Sequence, residues 1–403
     1  MRNQEAARCL LCRNARCSAA CPVHTDVPAC QKLYRENKLN EAGKLLFDNN
    51  PLSAVTCQVC DWRRYCLGHC VLGIKGSPIR WYEIEQEISE QYLFSCHPEK
   101  AEPNGKRVAI VGAGPVGITA GIRLAEKGYT VTLYDDNDQV GGVLRYGIPP
   151  FRLDKKYCDE YERILNELGV RMIWNSKVDQ YLTLSHLILQ HDAVLLGVGA
   201  TKQNALGITG EDRSSVLEAI AYLKNPSGYD LGKKVIVIGG GNVAMDACRT
   251  AVRSGCDTHV YYRKTYENMP ANPREVEEAR DDGVMFHDFK APVEVKEHSV
   301  IFRDCENYQD ENGRTKTRIL DGTDEEVECD TLLVAAGETI DLSVFGKTMP
   351  QLNEYGYPIV NEGNMTSIRG VFVAGDFILG AKTVVEAVES TKTAVAGIEQ
   401  YLG

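Results

Sequence analysis

Two stretches of the chain share one rhythm: a continuous apolar run, a cluster of small residues, an amphipathic stretch and a second apolar run. They are RVAIVGAGPVGITAGIRLAEKGYTVTLYD (107–135) and KVIVIGGGNVAMDACRTAVRSGCDTHVYYRK (234–264). Uninterrupted apolar runs such as Val108–Val111 and Val235–Ile238 predict strands buried on both faces, as in a parallel sheet, and the 3.6-residue spacing that follows predicts a helix. Two further apolar runs, AVLLGVGAT (193–201) and TLLVAAGET (331–339), end alike in glycine and flank the second unit. That symmetry predicts one α/β domain interrupted by another. Upstream the pattern changes. Residues 31–50 place Leu33, Leu39, Ala42 and Leu46 at helical spacing, and 79–92 read as a second helix. The polar segment His97–Gly105, with two prolines, separates this helical part from the first strand.

Composition sharpens the division. The 403 residues carry 45 Lys and Arg against 56 Asp and Glu, a net charge of −11, which argues against nucleic-acid binding. Residues 1–100 hold 13 Lys and Arg and 11 Asp and Glu, so the excess acid lies downstream. No run of 18 apolar residues and no signal-peptide pattern occur, so the expectation is a cytoplasmic protein without membrane insertion. Ten of the 15 cysteines precede residue 97. In a reducing compartment such density reads as metal binding.

The chemistry lies in two kinds of motif. Gly112-Ala-Gly-Pro-Val-Gly117 follows a strand and opens a helix, where glycines let the backbone approach a pyrophosphate and the helix N-terminus faces its charge. Asp135 closes the second strand, in place to hold a ribose hydroxyl. Gly239-Gly240-Gly241-Asn242 repeats the arrangement, but its second strand ends in Arg263-Lys264, two cations suited to a 2′-phosphate and hence to NADPH. The cysteines fall as Cys9-x2-Cys12-x4-Cys17-x3-Cys21-Pro22 and Cys57-x2-Cys60-x5-Cys66-x3-Cys70, spacings that suit an iron–sulfur cluster or a zinc ion. His24, His69 and His97 are expected at the surface or behind the ligands, not as ligands. Cys158, Cys248, Cys256, Cys305 and Cys329 read as ordinary thiols.

Taken together, CLLCRNARCSAACP, NPLSAVTCQVCDWRRYC with LGHC, GAGPVG, GGVLRYGIPPFRL (141–153), GGGNVAMD, YRKTYENMP and VFVAGDFILGAKTVVEAVES resemble one family nearly end to end. It is that of the glutamate synthase small (beta) subunit. Its relatives include the NAD(P)H-oxidising part of dihydropyrimidine dehydrogenase and the large subunit of NADH-dependent ferredoxin:NADP oxidoreductase. The resemblance implies an α/β fold with a small helical iron–sulfur domain (1–100) followed by two Rossmann-like domains, the second inserted in the first as in disulfide reductases. The FAD domain would span 106–200 and 338–403, and the NAD(P)H domain 201–337. Cofactors would be FAD, two [4Fe-4S] clusters and NADPH, with NADH possible as substrate.

Carried over by position, Cys9, Cys12, Cys17 and Cys70 would hold one cluster, and Cys21, Cys60, Cys66 and Glu85 the other. Cys57 is the rival for the place of Glu85, because the Cys57–Cys60 spacing departs from the family's. Gly112, Gly114, Pro115, Asp135, Gly141, Gly142, Val143, Arg152, Val178, Gly375, Asp376, Thr383, Val384 and Val385 would contact FAD. Gly239, Gly240, Gly241, Asn242, Arg263, Lys264 and Gly337 would contact NAD(P)H. The expected function is electron transfer between NAD(P)H and a separate catalytic or electron-accepting subunit, the cofactors doing the chemistry. The competing reading is a zinc-stabilised, dinucleotide-binding sensor or scaffold without redox turnover.

Overall fold

The computed structural model describes residues 2–403. Six α-helices build the N-terminal region: α1 (Arg2–Arg8), α2 (Arg16–Ala20), α3 (Val27–Arg35), α4 (Leu39–Asn49), α5 (Ser53–Val59) and α6 (Trp81–Leu93). Asp26 caps α3, its carboxylate accepting from the Ala29 amide at 3.1 Å, with Pro28 in the first turn. The single helix expected over 31–50 is two. Asn37 adopts a left-handed φ of 59°, and the Lys38 amide reaches back to the Leu33 carbonyl at 2.9 Å. Asparagine tolerates that conformation and closes a helix end much as glycine does. The break lets α4 fold over α6, and Val27, Cys30, Tyr34, Ala42, Leu46, Ile84 and Ile88 form one buried cluster.

Downstream come β1 (Arg107–Val111), α7 (Pro115–Glu126), β2 (Thr130–Tyr134), β3 (Arg171–Ile173) and β4 (Ala193–Leu196). With the strand Val371–Val373 they form a parallel sheet in which β4 and the Val371 strand lie on one side of β1, and β2 and β3 on the other. Val108 pairs in register with both Val131 and Ala193. Residues Lys234–Ile238, Asp257–Tyr262, Met285–Asp288, Thr331–Val334 and Val216–Glu218 repeat this order in a second parallel sheet, with Lys234–Ile238 in the place of β1. An antiparallel sheet of Lys290–Val295, Ser299–Gln309, Thr315–Ile319 and Glu325–Glu328 is added to it. By density of contact the chain divides into two units, one of 1–145, 150–201 and 340–403, the other of 146–149 and 202–339. The short strands Lys202–Gln203 and Glu338–Thr339 pair with each other.

Within the first unit the helical region is tied to the β1 sheet domain by specific bonds. The Tyr161 hydroxyl, fully buried, donates to the Pro51 carbonyl at 3.1 Å. Lys392, on the closing helix Val384–Leu402, reaches Asn49 Oδ1 at 3.1 Å, and Arg163 bonds the Leu93 and Cys96 carbonyls. Tyr161→Phe strands a buried carbonyl, so a loss of about 1–3 kcal/mol is expected, read as a lower urea midpoint with cofactor content unchanged. An unaltered midpoint would show that this bond contributes nothing to the docking. Among the described residues no helix is long and apolar enough to cross a membrane.

Candidate functional site

The two cysteine groups interleave in space. Cys9, Cys12 and Cys17, carried by the loop and helix after α1, meet Cys70 around a cavity of about 470 Å³ including its open mouth. Cys21, Cys60, Cys66 and Glu85 line a second cavity of about 410 Å³, with Cys57 also in its wall. Cys66 borders both. Among the described residues no three His, Cys, Asp or Glu side chains stand close enough to share a single metal ion. The thiols instead line the walls of the two cavities. Burial pushes the thiols of Cys9, Cys17, Cys21, Cys60 and Cys66 above their ordinary value, so their ionised forms require a neighbouring cation.

Glu85 has the same need. It sits on α6, 9% exposed, and burial pushes its carboxyl up to about 8, offset only by a hydrogen bond from the Trp81 side chain. A buried carboxylate beside three cysteines and no cation is costly unless metal completes the set. Cys57 differs: its thiol donates to the Ala54 carbonyl of its own helix at 3.4 Å. His69, expected behind or away from the ligands, lines the first cavity, its Nδ1 bonded to the Tyr65 carbonyl at 2.8 Å. His97 stands apart, beside Glu167 at 3.0 Å. Trp62 and Tyr65 join the wall of the second cavity, and Trp62 stacks on Tyr82 with centroids 3.5 Å apart. No spacing rule marks these aromatic residues, which come from between ligands.

The second cavity also touches the domain of the β1 sheet. Val385 lines it, and the Tyr65 hydroxyl lies 3.4 Å from the Thr383 hydroxyl. Thr383 caps the helix Val384–Leu402, its side chain and that of Glu386 forming a capping box. The other residues expected at FAD gather at the carboxyl ends of the sheet strands, where such sheets bind ligands. Gly112, at φ 103°, passes so close to Gly197 that a Cβ would stand 2.4 Å from its carbonyl oxygen. Gly114 caps α7, Pro115 is its first residue, and Gly142 lies against Gly114. Gly141 donates to the Ala113 carbonyl and is followed by Val143, 45% exposed. Gly375 packs on Val116, and Asp376 begins a short helix. Val178 is buried beyond β3, and Arg152 is half-buried. Asp135 is only 6% exposed, its carboxylate accepting from the Ala113 amide and from Asn137. It therefore braces the glycine loop. These closely packed glycine turns leave backbone, not side chains, along a cradle that fits a flavin dinucleotide.

In the second unit Gly239, at φ 143°, and Gly240 are packed against Ala335 and the Tyr262 ring, while Gly241 caps the helix Asn242–Arg253 with open space before it. Asn242 turns aside to accept from the Asn272 amide at 2.9 Å. Gly337 lies beyond the strand Thr331–Val334 at φ 90°. Arg263 is exposed and Lys264 half-buried at the end of Asp257–Tyr262.

Comparison with known proteins agrees with this fold. Residues 106–396 match the pyridine nucleotide-disulphide oxidoreductase family, and residues 1–95 match dihydropyrimidine dehydrogenase domain II, 4Fe-4S cluster. The glutamate synthase [NADPH] small chain of Escherichia coli is 32% identical over 99% of this chain and 91% of its own length. The NAD-dependent dihydropyrimidine dehydrogenase subunit PreT of Escherichia coli is 32% identical over 99% of this chain and 94% of its own. FprA from Mycobacterium tuberculosis in complex with NADPH shares the fold at TM-score 0.63 and 18% identity, over 75% of this chain and 85% of that one.

Proposed function

Because the chain belongs to the pyridine nucleotide-disulphide oxidoreductase family and carries an N-terminal 4Fe-4S domain, it is an NAD(P)H-dependent iron–sulfur flavoprotein oxidoreductase, and we propose that its cofactor sites form one serial electron route to a separate catalytic subunit. Such cofactors supply hydride chemistry at the flavin and single-electron chemistry at iron. The chain's own part is placement. Cys9, Cys12, Cys17 and Cys70 would hold one cluster, and Cys21, Cys60, Cys66 and Glu85 the other. The observation that carries the reading is the shared wall. Thr383 and Val385, expected at the flavin, stand beside Tyr65 and the second cavity, so that cavity adjoins the flavin cradle. Thiolate ligation of iron suits a reducing compartment, and we place the protein in the cytoplasm.

The test is independent of direction. In iron-loaded protein whose clusters have been reduced by a low-potential dye, NADP⁺ is expected to reoxidise them when FAD is bound and not when FAD has been stripped. Clusters that stay reduced with FAD and NADP⁺ both present would overturn the serial route.

The similar E. coli proteins are named for NADPH in one case and NAD in the other, so nucleotide preference rests on this chain's own residues. Arg263 is exposed, with no ion pair among the described residues, one position past the strand end where the 2′-substituent would lie. Arg263→Ala is expected to weaken NADPH binding by roughly 1.5–3 kcal/mol, the worth of a charge-assisted hydrogen bond, and to leave NADH binding nearly unchanged. Titration calorimetry with both nucleotides decides it. Equal loss for both would remove Arg263 from phosphate recognition.

A further inference from the structure

The segments 6–25 and 62–82, which supply Cys9, Cys12, Cys17, Cys66 and Cys70, contain seven Lys and Arg and no Asp or Glu, in a chain of net charge −11. Arg8 and Arg80 are occupied, both turned toward the buried Glu5. Arg13, Arg16 and Lys75 are exposed and make no ion pair among the described residues. Beside them in sequence stand two exposed apolar side chains: Leu10 is 61% exposed and Ile74 66%. Leu10 and Arg16 line the first cavity themselves, with Val71 and Leu72, two residues before Ile74. The second cavity adjoins Thr383 and Val385, so the first is the end of the route remote from the flavin cradle.

We propose that this face is the docking surface for the acidic face of a protein that exchanges single electrons with the first cluster. An apolar centre beside Arg13, Arg16 and Lys75, against which the exposed acid nearest in sequence to the cavity wall is Asp26, steers an acidic partner to this face on an otherwise acidic molecule. It also brings the partner's redox centre to the cavity mouth. The proposal rests on the serial route proposed above, and deepens it by naming the chemistry of the partner.

The experiment uses the intact, iron-loaded holoprotein and a small acidic [4Fe-4S] ferredoxin as probe, with the dissociation constant measured at low and high salt. The variant is R13E/K75E, with R13Q/K75Q as its neutral counterpart and R171E/K347E, two exposed cations of the β1 sheet domain that line neither cavity, as a charge-matched control. At low salt, R13E/K75E is expected to weaken binding at least about tenfold and R13Q/K75Q by less, while R171E/K347E stays close to the parent. The parent's affinity should fall toward that of R13E/K75E as salt rises, since only exposed charges are screened in this way. Iron content and reduction of a zwitterionic sulfonated viologen, which carries no net charge to be steered, report the electron route separately and should not change. R13E/K75E binding the ferredoxin as tightly as the parent, or the control weakening as much, would overturn the proposal. A parent unable to reduce the sulfonated viologen with NADPH would count against the serial route and leave the binding result to stand by itself.

Discussion

Glu85→Ala is expected to return a protein with about half its iron, a retained flavin, and electron transfer to external one-electron acceptors lowered by at least about tenfold. Even residues that merely support a metal ligand cost 10–100-fold in metal affinity when removed. Alanine removes the one acidic donor in the second cavity and leaves Cys21, Cys60 and Cys66 to hold a cluster with three ligands. The flavin cradle is built from other residues, so FAD content and its reduction by NADPH should persist. Cys57→Ser is the discriminating partner. Its thiol is already bonded to the Ala54 carbonyl, and serine can make the same bond, so iron and sulfide content and the cluster's EPR signal should be unchanged. The opposite pair of results, with iron lost in Cys57→Ser and kept in Glu85→Ala, would exchange the two residues' roles.

The second large effect lies in the first glycine loop. A Cβ on Gly117 would stand 1.9 Å from the Gly112 carbonyl oxygen, a contact that only movement of the loop against α7 can relieve. Gly117→Val should therefore yield protein almost devoid of FAD after desalting, with a stability loss of about 1–3 kcal/mol from overpacking. Gly114→Ala separates ligand approach from strain. Its Cβ would meet Gly142 at an ordinary 3.7 Å and its φ is negative, so the protein should fold with normal stability yet bind FAD weakly. Full flavin occupancy in Gly117→Val would refute the close helix–strand packing, and full occupancy in Gly114→Ala would refute backbone contact with the pyrophosphate.

Much of the α/β part was legible because buried parallel strands and glycine turns are local signals. Val108–Val111 and Val235–Ile238 are strands within one residue of their apolar runs, and both glycine clusters open helices. The break at Asn37 was not legible, since leucines at helical spacing continue through it and only the polar Glu36-Asn37-Lys38 stretch hints at a left-handed turn. The antiparallel strands from Lys290 to Glu328 were missed because their outward residues are charged and their apolar partners few. At the clusters, spacing identified the thiols but could not place them. That Cys70 joins Cys9 while Cys21 joins Cys60 depends on how α3 to α6 fold back, and the resemblance, not the spacing, gave that grouping. His69, Trp62 and Tyr65 became visible as cavity walls only in three dimensions, because an aromatic between two ligands has no period of its own.

The shared wall at Val385 sets an order of biosynthesis. Cys9 through Cys70 leave the ribosome about 300 residues ahead of Val385, an interval of roughly 15–60 s at ordinary translation rates. Throughout that interval the thiols of the second cavity lack one side of their enclosure and stand open to oxidants. Iron delivered within that interval would meet a cavity that Val385 does not yet close, and iron delivered after it would meet the completed wall.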